Sequence, residues 1–279
     1  MPLSFCLKSM NSRLRFIEIA NITFKGGLRD RVFITMIAVS LISFILIVPS
    51  ISSMSMRQVK EVSVGLSLSI ISFVCLVLTI FLGVNLVFRD IERRFAHFTL
   101  SLPVRRDEYI LGKFTGLCMI IGLAYSILSL SSLAGIVISS KLARQGLILW
   151  ENFIAAIFLD FLSIIIIASI ATLFSAFSTN VFMPLFSSLG FYIAGNAIQT
   201  VSEYIKSSYG ERLPAISVLI SKIAYYIFPN LTAFDIKFNA IYGTPLSFRY
   251  LLSVSGYAII YIVIVMAITL LSFRKRQLQ

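Results

Sequence analysis

Few side chains in this 279-residue sequence could do covalent chemistry, and none stands where the usual schemes need it. His97 is the single histidine and sits in a charged segment, so no imidazole is placed among the many apolar-segment serines to serve as their base. Cys6, Cys75 and Cys118 are spaced for neither a disulfide framework nor a zinc site. Gly112-Lys113 imitates the end of a phosphate-binding loop, but that loop needs a glycine where Asp107 stands and a hydroxyl residue where Phe114 stands. Nucleotide hydrolysis is therefore not expected on this chain, nor is any other enzymatic activity. The remaining polar residues of interest lie inside apolar runs. Asp160 is either an intramembrane acid, which by default marks a substrate or ion contact, or an interfacial residue if its helix begins at Phe161. Asn85 and Asn196 are weaker candidates for lining a path, since amides in membrane helices also serve packing.

Composition decides what must position these groups. The chain is 58% hydrophobic and 13% charged, far from a soluble domain. Charge-free runs cover residues 32–56, 62–88, 114–140, 161–202 and 250–273, against a requirement of roughly 20 apolar residues per span. The fourth run is long enough for two spans, with a turn expected at Ser178, Thr179 and Asn180 before Pro184. The expected fold is all-α and polytopic, a single transmembrane domain over 1–279 with six spans at 32–50, 64–88, 108–138, 153–177, 182–201 and 250–273. The net charge of +12 follows the excess of Lys and Arg in cytoplasmic loops and does not require a nucleic-acid partner. Most of the 24 basic residues fall beside the N-terminus, between the second and third spans, and at the C-terminus. Both termini are accordingly expected in the cytoplasm of a multi-pass plasma (inner) membrane protein, with no cleaved signal peptide.

Two flanking helices are expected besides the spans. Over 12–30, Phe16, Ala20, Phe24 and Leu28 share one helical face and Arg15, Glu18, Lys25 and Arg29 another, which describes an amphipathic interfacial helix. The outer segment 203–249 contains an apolar stretch, Pro214 to Ile227, with Ile216, Leu219, Ile220, Ile223 and Ile227 on one face. Its fourteen residues make roughly 21 Å of helix against a hydrocarbon core of roughly 30 Å, so a re-entrant or interfacial helix is expected.

The densest charge lies in DIERRFAHFTLSLPVRRDEYILGK, residues 90–113. Ile91, Phe95, Phe98 and Leu102 fall on one helical face, Pro103 stops the helix, and Asp107 and Glu108 suit the positive end of the next span. Gly112 and Gly116 also fit a small-xxx-small pattern, a match that reads as incidental so near a helix end.

Residues 89–116 resemble the cytoplasmic signature of ABC type-2 transporter permeases, with Glu92, Arg93, Arg94, Leu100, Ser101, Pro103, Val104, Arg106, Gly112 and Lys113 in its pattern. Phe95 and Thr99 depart from it, at positions where Thr and an apolar residue are common. LRDRVF, residues 28–33, is similar to the family's entry into its first span. YYIFPNLTAFDIKFNAIYG, residues 225–243, resembles the branch that includes the permease subunit of nitrous oxide reductase maturation systems. The resemblance implies an exporter subunit that dimerises with a second permease copy, identical or not, in the lipid bilayer. It also implies that Ile91, Glu92, Arg93, Arg94, Phe95, Phe98, Pro103 and Arg106 form a coupling segment docking on a separate ABC-type ATP-binding subunit. ATP and Mg would be held by that partner and no cofactor by this chain. The alternative is a channel or a structural membrane protein with no ATPase.

Overall fold

The computed structural model describes residues 12–54, 58–92, 106–143, 150–178, 180–207 and 214–275, and among these every regular element is helical. We number the helices α1 (Ser12–Leu28), α2 (Arg31–Met54), α3 (Val59–Glu92), α4 (Arg106–Ala143), α5 (Trp150–Phe177), α6 (Phe182–Lys206), α7 (Ala215–Ile227), α8 (Lys237–Tyr242) and α9 (Phe248–Lys275). Five of them, α2, α3, α4, α5 and α9, are long and apolar enough to cross a membrane. The protein is thus a multi-pass helical membrane protein. The segment expected as the fifth span is helical, as the 25-residue α6, but with Asn196, Gln199 and Glu203 in it α6 is not among these five.

Helix boundaries follow local chemistry. Asp30 caps α2 by accepting a hydrogen bond from the Val32 amide at 2.9 Å, which separates α2 from α1 across only Arg29 and Asp30. Pro214 precedes the first residue of α7, and Pro229 and Asn230 follow its end, as their backbone restrictions dictate. α8 stops at Gly243, whose φ of 70° is open to glycine at little cost. Within α2, Ser43–Ile47 form a π-helical turn.

α3 and α5 are the most buried of the long helices, and α2 and α9 the least. From Ile166 to Thr172, α5 is buried on every side, the pattern of a helix surrounded by others. α3, α4, α6 and α9 pack against it, while α2 lies against α3 and α4. Ile34, Val39, Ile45 and Leu46 of α2 and Leu252, Ile259, Ile260 and Val263 of α9 point outward, an apolar perimeter that suits lipid.

α1 is attached through a close helix-helix contact. A Cβ built on Gly116 would lie 2.7 Å from Thr23 Cβ and 2.8 Å from the Ala20 carbonyl oxygen, and one on Gly112 would lie 2.9 Å from Ile19 Cγ2. Gly27 in turn faces Ile120. The Gly112 and Gly116 spacing is therefore a packing face and not an incidental match: only glycine lets the α1 backbone come so near. Of the predicted apolar face, Ala20 is buried and Phe24 and Leu28 partly so, but the closest approach is made by Ile19, Thr23 and Gly27. Numbers rise together along both helices, so α1 runs parallel to α4. α2 continues the course, its Phe44 carbonyl oxygen standing 2.6 Å from a Cβ placed on Gly135.

Candidate functional site

Asp160 is placed by α5, which begins ten residues earlier at Trp150, so Phe161 does not open the helix. Its Oδ2 accepts hydrogen bonds from Ser72 Oγ of α3 at 2.8 Å and from Tyr125 Oη of α4 at 2.7 Å. The Tyr125 ring is steered by Phe161, with centroids 5.4 Å apart and planes at 75°, an edge-to-face pair. One carboxylate thus ties three long helices together. Buried charges are costly unless hydrogen-bonded, and two hydroxyl donors offset part of that cost.

The other side of Asp160 faces a cavity of about 20 Å³ lined also by Ser163 of α5, Tyr192 and Asn196 of α6, and Leu231, Phe234, Asp235 and Lys237. That volume suits about one water molecule. The segment between α7 and α9 forms its roof. Leu231 N–H donates to the Gly195 carbonyl at 3.1 Å, Thr232 Oγ1 to the Asn196 carbonyl at 2.9 Å, and Asn230 Nδ2 to Gln199 Oε1 at 3.3 Å. Gly195 permits this contact, because a Cβ there would meet the Pro229 carbonyl oxygen at 2.7 Å. Asn152 of α5 holds the roof's other edge, donating through Nδ2 to the carbonyls of Asn239 at 3.1 Å and Thr244 at 2.9 Å.

Three tyrosines of α9 complete the attachment. Tyr250 Oη donates to the Ala233 carbonyl at 2.7 Å and Tyr261 Oη to the Ile227 carbonyl at 3.1 Å, while Tyr257 Oη accepts from the Asn230 amide at 3.1 Å. Tyr257 and Tyr261 are one helical turn apart and Tyr250 two turns before Tyr257, so one face of α9 grips the roof.

Of the sequence-derived candidates, Asp160 and Asn196 come together at the small cavity, where Asn196 spends its own amide on the Tyr192 carbonyl at 2.9 Å. Asn85 lies on α3 thirteen residues from Ser72, about 20 Å further along the axis. Ile91 and Glu92 end α3 and Arg106 opens α4. Arg93, Arg94, Phe95, Phe98 and Pro103 lie outside the described residues. Beside this end of α4, Lys113 is buried with Nζ 5.5 Å from the Tyr109 ring centroid, and Tyr109 stacks on Phe273 of α9 at 6.3 Å. Sequence reasoning missed Ser72, Tyr125, Tyr192, Asp235 and Lys237. Nothing in a run of apolar residues distinguishes a serine that bonds its own helix from one that reaches another. Among the described residues no group of three metal-ligating side chains gathers. No protein-family model matches the chain, and no curated protein does.

Proposed function

We propose that the chain is the permease subunit of an ATP-driven transporter of the ABC type-2 kind, an exporter with six spans in which α6 is the fifth, paired with a second permease copy and with a separate cytoplasmic ATPase. The observation that carries the reading is the length of α3 and α4. They run 34 and 38 residues, about 51 and 57 Å, against a hydrocarbon core of about 30 Å. α3 stays helical past Arg89 to Glu92 and α4 begins at Arg106, so the charged segment between them is carried at the paired ends of two helices. Force applied to that segment by a nucleotide-driven partner would be delivered along both rods. α1, lying along the first turns of α4 with backbones nearly touching, would move as one body with it.

In this scheme the Asp160 cluster is the latch between moving and static helices. A shift of α4 against α5 stretches the Tyr125 to Asp160 bond, and a shift of α3 stretches the one from Ser72. Opening a path wider than a single water requires either those bonds or the roof contacts at Gly195 to give way. α1, packed along α4, would stand with that rod at the cytoplasmic side instead of lying flat in the interface as its amphipathic pattern suggests, and the outward apolar face of α7 would lie in the opposite interface, with both termini cytoplasmic.

The test is partnership. Purified with its binding partners, the chain should carry an ATPase whose hydrolysis it stimulates, and Phe95→Ala with Phe98→Ala should uncouple or release it while leaving the chain inserted, since such aromatic anchors cost roughly 2 kcal/mol or more when truncated. Recovery of the chain without any ATPase, or unchanged coupling in both variants, would favour a channel or structural role and end the proposal.

A further inference from the structure

At the end of the bundle remote from the α3 and α4 tips, α6 and α7 enclose an open cavity of about 370 Å³ lined by Ser202, Ile205, Lys206, Ser221, Lys222, Tyr225 and Tyr226. Two ammonium groups, from the last residue of α6 and the middle of α7, border the same space as two serine hydroxyls and two phenols. Both lysines are exposed, and cations brought to one cavity with hydroxyl donors favour an anion that accepts several hydrogen bonds at once.

The apolar side of α7 identifies what carries that anion. Ile216, Leu219, Ile220, Ile223 and Ile227 are all more than half exposed, a stripe no aqueous surface would keep bare. On the helix, Lys222 stands between this stripe and the face that carries Val218, Ser221 and Tyr225. It is placed to hold a charged group in the cavity while hydrocarbon continues along Leu219 and Ile223. A long lysine stem covering apolar surface with its head at the polar boundary is the arrangement expected where a membrane meets water. We infer that the cavity between α6 and α7 binds the phosphate of an anionic phospholipid headgroup, with its acyl chains on the exposed stripe of α7. The inference does not depend on the ATPase reading, since it uses only this membrane-facing helix and its neighbour.

Removing two lysines of this kind, each contributing about 1 kcal/mol to association with anionic lipid, should weaken binding about 30-fold. The experiment is titration of the full chain in detergent micelles with phosphatidylglycerol, read by native mass spectrometry, beside phosphatidylcholine and inorganic phosphate. The expected result is tight phosphatidylglycerol binding, weaker phosphatidylcholine binding, and the 30-fold loss in Lys206→Gln/Lys222→Gln. Lys222→Arg, which keeps the charge, should retain the affinity, and Lys25→Gln, at the other end of the molecule, should leave it unchanged. Millimolar inorganic phosphate should not displace the lipid. Equal phosphatidylglycerol affinity in the double glutamine variant would overturn the site. Displacement by inorganic phosphate would overturn the lipid assignment in favour of a free anion, and loss of affinity in Lys222→Arg would show that packing, not charge, was removed.

Discussion

The two ends of the molecule are held together by different means. At the α3 and α4 tips, α1 meets α4 through glycines, and backbone lies on backbone with Gly112 and Gly116 opposite Ile19, Ala20 and Thr23. At the other end the roof over Asp160 is tied by directional hydrogen bonds in which Tyr250, Tyr261, Thr232 and Asn152 donate and Tyr257 accepts. Close packing is stiff, because a displacement of a few tenths of an ångström forfeits contacts or creates clashes. Hydroxyl-to-carbonyl bonds in membrane proteins are individually weak and exchange readily for alternatives. One end is therefore the stiffer, and the other is held by ties that can open one at a time.

The largest expected effect is at the stiff end. Gly116→Val places a side chain against the Ala20 carbonyl and Thr23 and should cost about 1–3 kcal/mol, seen as a lowered unfolding midpoint and trypsin cleavage after Lys25. Gly26→Val is its control, since no other atom lies within 4 Å of a Cβ at Gly26. Equal behaviour of the two variants would erase the contrast. Between the ends, Tyr125→Phe leaves Asp160 with one of its two hydroxyl donors and should cost about 1–3 kcal/mol. Combined with Asp160→Asn, the losses should be non-additive by 0.5 kcal/mol or more, as in roughly all groups in direct contact. Additive losses would separate the two residues.

At the roof, Tyr257→Phe removes the acceptor for the Asn230 amide and should cost about 1 kcal/mol, and Tyr250→Phe about 0.6 kcal/mol. Hydrogen exchange should accelerate in residues 228–236 and not in α1, the local opening that weak side-chain ties predict. Acceleration spread evenly over both ends would mean that the roof is no looser than the tips. The smallest effect belongs to Gly256→Ala on the perimeter of α9. Nothing lies within 4 Å of its added Cβ, so a gain of about 0.5 kcal/mol is expected from helix propensity. A loss instead would place a second copy of the chain against that face.

The helices were legible because charges end the apolar runs: Arg31, Lys60 and Glu61, Lys113 and Arg249 all stand within a few residues of a run's limits. Pro214, Pro229 and Asn230 bounded α7 for the same local reasons. What could not be read was pairing. Asp160 was visible as an isolated acid, yet its partners Ser72 and Tyr125 lie 88 and 35 residues away and look like dozens of other residues in apolar runs. The Gly112 and Gly116 pair is visible too, but glycines near a helix end need no partner and nothing local names one. The structure supplies one in α1, a helix whose polar face had suggested only a surface position. α6 shows the opposite limit, since its length fits a span while the Gln199 side chain serves the roof at the expense of apolarity.

The π turn at Ser43–Ile47 keeps the two halves of α2 facing the same way. A π turn carries an extra residue relative to the α-helical path. Phe33, Ile37 and Ser40 are buried before it, and the buried positions run on through Phe44, Val48 and Ser52 at intervals of four, a spacing that drifts by about 40° per step around an ordinary helix. Deleting one residue from 43–47 would restore an ordinary helix while rotating Val48 and Ser52 by about 100° relative to Phe33 and Ile37. The local irregularity thus acts as a clocking element, keeping the inward faces of the two halves of one helix in step.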